Sequence, residues 1–258
     1  MTSTTYDPAT KLASIQPGGD WQSVYDTLAP HGVTVTGGRA GTVGVGGFIT
    51  GGGNSFHAAS HGLACDNVAN FEIVLANGSI VNANRKTNPD LWVALKGSGA
   101  NFGLITRFDM YVIEFPDPEN PVIWGGNLIY DLSAGPAIID ALVDFSENVH
   151  KNENNSAIVY WAYIPAIGGM IVNAAIENTL GLVKPAGFEG FYGVPNITAD
   201  TTKVDKMSVV TNELGAGQPG GFRYVLTSLK SYGFLCSNVF FYTVTSGLQL
   251  PSRTTPAS

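Results

Sequence analysis

The chain has 258 residues, a formal net charge of −7 at pH 7, 44% hydrophobic and 13% charged residues. That length supports one large or two modest cores, and the composition is that of a folded, charge-poor protein rather than a disordered one. The acidic balance and the lack of a Lys/Arg cluster argue against nucleic acid and anionic membrane surfaces as partners. No apolar run approaches the roughly 18 residues of a membrane-spanning helix.

Lys11 to Gln16 alternates weakly and predicts a short strand with no partner before it. Pro17-Gly18-Gly19 breaks it, and Asp20 caps a helix with Trp21, Val24, Tyr25 and Leu28 on one face. Pro30 and Gly32 end that helix, and Val33 to Thr36 predicts a second strand. Six of the twelve residues from Gly44 to Ser55 are glycine. Such a run can turn through positive φ and bring backbone N–H groups against a ligand; the plainer alternative is a corner where glycine serves packing. No G-x-x-x-x-G-K-[ST] occurs. Ile49 stands where G-x-G-x-x-G needs its third glycine, and Gly97 to Gly103 misses the pattern by one residue. P-loop and Rossmann phosphate sites are therefore not expected.

Val68 to Leu75 predicts a strand, Asn77-Gly78 a type I′ hairpin turn, and Ile80 to Ala83 the returning strand. Asn88 and Pro89 start a helix with Leu91, Trp92 and Leu95 inward, closed by Gly97. Leu104 to Ile113 predicts a further strand. Pro116, Pro118 and Pro121 then mark a domain boundary, dividing the chain into 1–115 and 116–258. Beyond it, Val122 to Tyr130 is strand-like, and Pro136 to His150 is an amphipathic helix. Ala157 to Ile164 and Met170 to Ile176 are neighbouring antiparallel strands. Val204, Met207, Val210 and Leu214 give a helix, Phe222 to Leu229 a strand, Val239 to Val244 a strand or helix, and the tail from Pro251 is polar and frayed. The fold class is α+β.

Cys65 and Cys236 do not make a disulfide framework; they could pair once, and two buried thiols is the favoured reading. His57 and His61, four apart, would share a metal only on a helix, which the flanking glycines argue against; no metal site is expected.

Four segments stand in order: Gly37-Gly38-Arg39, Gly44 to Ser55, His61 to Val68, and Asp90 to Gly97 continued by Asn101 to Thr106. With the Val74-Leu75-Ala76-Asn77-Gly78 hairpin between them, the sequence resembles FAD-linked oxidoreductases of the vanillyl-alcohol-oxidase type, which carry a PCMH-type FAD-binding domain. The berberine-bridge-enzyme-like branch of fungi and plants matches best. The resemblance is dense from about Leu12 to Phe115 and diffuse afterwards. It implies the second half of the FAD-binding domain over 1–115, and part of a substrate domain whose antiparallel sheet covers the flavin over 116–258. FAD is the implied cofactor. Carried over residue by residue, Gly44, Val45, Gly46, Gly47, Thr50, Gly51, Gly52 and Ser55 would line the diphosphate and flavin, through backbone amides that need no cationic side chains. Gly62, Asn67 and Val68 would meet the cofactor from the next loop, and Gly103 and Ile105 at the adenosine side. Asn67 also reads as a turn-capping amide, Ile105 as a core strand residue and Asp66 as a capping carboxylate. Arg39 pairs with a phosphate or with an acidic neighbour.

The sequence departs from the family pattern in three places. The loop whose histidine usually bonds the flavin would precede this chain, and His57 and His61 do not match it. Ala40 occupies the position of the second, cysteine attachment. No closing segment rich in Asn, Tyr and Gly follows Gln249. The expectation is a middle portion of a longer enzyme. The implied reaction is oxidation of a small organic substrate in secondary metabolism, with hydride passing to flavin and dioxygen as electron acceptor. Tyr130, Tyr160, Tyr163 and Glu177 are the candidates for the base, and no catalytic residue is assigned. The rival reading is a flavin-free remnant, or a chain that acts only with a partner; a different glycine-rich α+β binding domain fits the hairpin-to-helix order less well. Met1 to Thr5 shows no secretory start, although many relatives are secreted and three glycosylation triplets, at Asn77, Asn154 and Asn196, are present.

Overall fold

The structure, a computed structural model, describes residues 1–164 and 168–216, together with the backbone of two strands, Tyr224–Thr227 and Phe241–Val244. The chain begins with strand β1 (Thr4–Asp7), which pairs antiparallel with β2 (Leu12–Ile15). No strand is expected at β1 from the sequence. It buries none of its residues, so it carries no apolar alternation to be read.

Helix α1 (Trp21–Leu28) starts where Asp20 accepts hydrogen bonds from the Ser23 amide at 2.8 Å and hydroxyl at 2.6 Å. Its four apolar residues are buried. The next strand, β3, is shorter than expected (Val33–Thr34) and pairs with β7 (Ile113–Glu114). Between these lie α2 (Val45–Thr50), α3 (Ala58–His61), β4 (Val68–Val74), β5 (Ile80–Asn84), α4 (Pro89–Ala94) and β6 (Leu104–Tyr111). A five-stranded antiparallel sheet results, in the order β1-β2-β6-β4-β5.

Three local expectations need correction. The hairpin after β4 is not type I′: Gly78 has φ +84° but Asn77 is not at positive φ. The Leu75 amide donates to Ser79 and the Gly78 amide to Leu75, the pattern of a turn closed by a glycine bulge. Asn88 does not cap α4 with its side chain; at φ 48° its amide instead donates to the Asn82 carbonyl at 2.9 Å. His57 and His61 do flank a helical turn, α3, with ring centroids 5.7 Å apart. No cluster of three or more metal-binding side chains forms among the described residues.

The second sheet contains β8 (Val122–Asp131), β9 (Asn155–Ile164) and β10 (Gly169–Asn178), with β10 between the other two. Helices α5 (Gly135–Glu147) and α6 (Glu189–Gly193) cover one face. There Trp124, Leu128, Tyr130, Val172, Ala174 and Ile176 pack with Ile138, Leu142, Phe145, Phe188 and Phe191. Phe145 and Phe188 stack at 5.5 Å. Strands β11 (Ile197–Asp200) and β12 (Lys203–Lys206) add to β8, and Val204 belongs to β12 rather than to the helix that follows.

That helix, α7 (Met207–Ala216), returns to the first lobe. Met207, Val210 and Leu214 share one buried cluster with Trp21, Val35 and Phe108, and Ile123 and Ala175 of the second sheet join it. The strands Tyr224–Thr227 and Phe241–Val244 pair with each other; the remainder of the expected strands there, the Pro251 tail and Cys236 lie outside the described residues.

Candidate functional site

The glycine-rich segment is mostly helix. Gly44 stands before α2 with an extended backbone, and Gly46 and Gly47 lie inside it. Positive φ is confined to Gly52 (+103°) and Gly53 (+79°), where the chain leaves the helix. A side chain at Gly53 would meet Phe48 and Ala64 within 2.6–2.8 Å, so this glycine serves packing as well as conformation. Gly44 and Gly47 differ: both are exposed, and nothing lies within 4 Å of where a Cβ would stand.

Several amides of the segment are engaged within the chain. Val45 donates to Gly19 and Gly46 to Pro17, each at 3.0 Å, while Gly51 donates to Gly47 and Gly52 to Ile49. These positions therefore offer a ligand a bare, closely approachable surface rather than a row of open N–H groups. Thr50 returns its hydroxyl to the Gly46 carbonyl at 2.9 Å, and Ser55 is buried, accepting from the His57 amide at 3.1 Å.

The segments singled out in the sequence meet. The Gly99 amide donates to the Thr50 carbonyl, Ala64 to Gly53 and Cys65 to Gly52, all at 2.8–2.9 Å. Gly62, exposed at φ +76°, and Asn67 form the next turn. The Asn67 amide donates to His61 and Leu63 carbonyls, the turn-capping role. Val68 is fully buried, its carbonyl accepting from the Trp92 indole at 2.9 Å. Gly103 (φ +154°) lies so close to the Val74 carbonyl that a Cβ would overlap it, and Ile105 is a core strand residue. Val45, Val68 and Ile105 can thus reach a ligand only through backbone atoms. Lys96 caps the Trp92 ring at 4.0 Å and pairs with Asp66 at 3.4 Å.

Arg39 turns toward the second sheet. Its Nη1 donates to Ser156 Oγ at 3.4 Å, and its charge acts on Glu177, which is fully buried on β10. The loop carrying it is tightly seated: the Tyr25 hydroxyl donates to the Gly38 carbonyl at 2.8 Å, and the Gly41 amide to Thr211 at 3.2 Å. A Cβ on Gly37 would overlap the Trp21 ring and the Tyr25 hydroxyl.

Buried polar atoms without a hydrogen-bond partner among the described residues occur around this region: Trp21 Nε1, Thr36 Oγ1 and His57 Nε2, with Asn173 Oδ1 and both Glu177 oxygens on β10. Native interiors rarely leave such atoms unpaired, and the set suits a polar ligand. Burial lowers the His57 pKa to about 3, with His61 adding to the effect. It raises that of Glu177 to about 8, against the pull of Arg39 and Ser156.

Residues 1–84 match the model of a family described as an FAD binding domain. FAD-dependent monooxygenase sdcF of Emericella nidulans is 38% identical over 227 residues, covering 88% of this chain and 46% of that protein. The chain is thus similar to FAD-linked oxidoreductases, and its first third to their FAD binding domain. A second member, FAD-dependent monooxygenase drtC of Aspergillus calidoustus, is 38% identical over 81% of this chain and 39% of its own length. The chain therefore spans less than half the length of these curated relatives. Among solved structures, 6-hydroxy-D-nicotine oxidase from Arthrobacter nicotinovorans superposes with a TM-score of 0.69 at 22% identity, over 87% of this chain and 49% of that one. The fold is thus the one used by the vanillyl-alcohol-oxidase-type flavoproteins, and FAD is the family's cofactor. The bare glycine surface and the unpartnered buried polar atoms fit that group.

Of the four base candidates, Tyr130 lies in the core beneath α5 and α6, its hydroxyl donating to the Phe191 carbonyl at 2.9 Å. Tyr160 is half-buried and Tyr163 exposed. Periodicity alone could not separate these positions, because the two faces of the second sheet are both largely buried.

Proposed function

We propose that this chain contributes the glycine-rich half of an FAD site and part of the covering sheet in an enzyme that oxidises a small organic molecule. The observation that carries the proposal is the uncovered surface of Gly44 and Gly47, on a segment whose Thr50, Gly52 and Gly53 carbonyls accept hydrogen bonds from Gly99, Cys65 and Ala64. Glycine in a helix is destabilising by up to about 1 kcal/mol, and at Gly47 no neighbour requires it. A ligand that needs close backbone approach accounts for it. Gly44, Val45, Gly46, Gly47, Thr50, Gly51, Gly52 and Ser55 would support the diphosphate and flavin, with Gly62, Asn67, Val68, Gly103 and Ile105 bounding the remainder.

Bound FAD would supply a two-electron acceptor for substrate hydride, and dioxygen would then take the electrons. The fungal relatives, named as monooxygenases, support a place in secondary metabolism. The chain's own residues would orient the ring, exclude water and present the face of β9 and β10 to the substrate. The division of the chain near residue 115 belongs to this proposal, with α7 crossing back to tie the second part to the first core. The test is the flavin content of the purified protein. Absorbance near 450 nm, the general flavin band, retained after gel filtration with added FAD, is expected; a folded protein that stays colourless with excess FAD would favour the flavin-free reading.

A further inference from the structure

Glu177 sits where the second sheet meets the first lobe. It shares a face of β10 with Ala175, which belongs to the first core, and it pairs across the strands with Ser156 on β9 and Gly125 on β8. Gly125 leaves room for it: a Cβ there would come within 2.7 Å of Glu177 Cγ. The side chain is fully buried, and among the described residues the Ser156 hydroxyl is the donor that acts on its carboxylate, too loosely placed to make a well-formed hydrogen bond. Across the junction stands Arg39, itself hydrogen-bonded to Ser156, on the loop that leads into α2.

We propose that Glu177 is a positioning residue for the cofactor site, seating the second sheet on the Arg39 loop and making the opening of this junction pH-dependent. The inference rests on the reading of the glycine-rich segment as a cofactor site, but its physical basis does not. A fully buried carboxylate with only one weak donor beside it is costly when ionised. Burial outweighs the attraction of Arg39 in the closed form, and the acid keeps its proton to about pH 8. Opening admits water and returns the group toward its ordinary value of 4.5.

Among the described residues, few other groups face the junction. β9 presents Ser156 and β8 presents Gly125, neither of which titrates near neutrality, and the loop presents Arg39. Helix α3, packed near β9, brings His57 and His61, both held below the ordinary histidine value. Their protonation acts at the acid end and in the opposite sense.

Hydrogen exchange of the full chain, corrected for the intrinsic pH dependence of amide exchange, tests this on peptides covering 37–43 and 122–131. Opening of these segments is expected to increase by up to about tenfold per pH unit between the histidine range and about pH 8, then level off. In Glu177→Gln the profile becomes flat, while a peptide covering 68–74 behaves alike in both proteins. A flat wild-type profile, or protection that grows with pH as Arg39 closes onto an ionised carboxylate, overturns the proposal. The measurement needs no flavin. A colourless protein with the expected profile would count against the FAD reading alone, and a yellow protein with a flat profile against this inference alone.

Discussion

Two buried titratable side chains set opposite pH dependences. In the folded chain the Glu177 pKa is raised to about 8, and that of His57 is lowered to about 3. Between 4.5 and about 8 the unfolded chain has released the Glu177 proton that the folded chain keeps, so stability falls as pH rises through that window. For His57 the unfolded chain takes up a proton that the folded chain refuses, so stability is lost as pH falls from 6.5 toward 3. Urea denaturation should therefore find Glu177→Gln more stable than wild type at about pH 7, with the advantage gone near pH 4. His57→Gln should lose less stability than wild type on acidification from about pH 6.5 to 4.5. Equal pH profiles for variant and parent would contradict either assignment. Little of this was legible beforehand. Glu177 could be named as an acid on a strand, but its burial depends on Gly125 and on a loop more than a hundred residues earlier in sequence.

At the scale of elements, α1 was readable because cap and periodicity agree. Asp20 supplies the acceptor, and the four apolar residues fall on one face. Asp20→Ala should cost about 1 kcal/mol in chemical denaturation; a change within error would mean the cap bond does not form in solution. The loop after β3 is a stronger constraint. Gly37→Ala forces a methyl into the Trp21 ring and the Tyr25 hydroxyl, and should cost about 1–3 kcal/mol by overpacking, on the same measurement. The glycines of Gly37-Gly38-Arg39 are thus explained by the aromatic residues of α1, a long-range fact that local spacing does not carry. β1 carries no sequence signal because it is an exposed edge, and Asn77-Gly78 does not specify its turn because the dipeptide suits more than one hairpin geometry. Helix α2 was hidden by its glycines, whose poor helical propensity is overridden by the bonds from Val45 and Gly46 to the preceding turn.

At the scale of the whole molecule, the described residues form two buried clusters, and the second part of the sequence completes the first of them through Ile123, Ala175 and α7. The order of strands and helices was largely legible, since alternation and helical period are local signals. The return of α7 was not, because its apolar residues fit any amphipathic helix and only the fold says what they cover. The convergence of the glycine-rich run with the turns at Gly62 and Gly99 was likewise visible only as a resemblance until the backbone hydrogen bonds joined them. That convergence ends at a surface left open around Gly47, where the proposed cofactor site would set ligand binding against fold stability. The decisive comparison is FAD titration and urea denaturation of wild type against Gly47→Leu. A leucine there should stabilise the helix by up to about 1 kcal/mol while weakening FAD binding at least about tenfold, as expected for a side chain placed in the ligand's path. A variant that binds FAD as tightly as wild type would show that the cofactor does not lie on this surface.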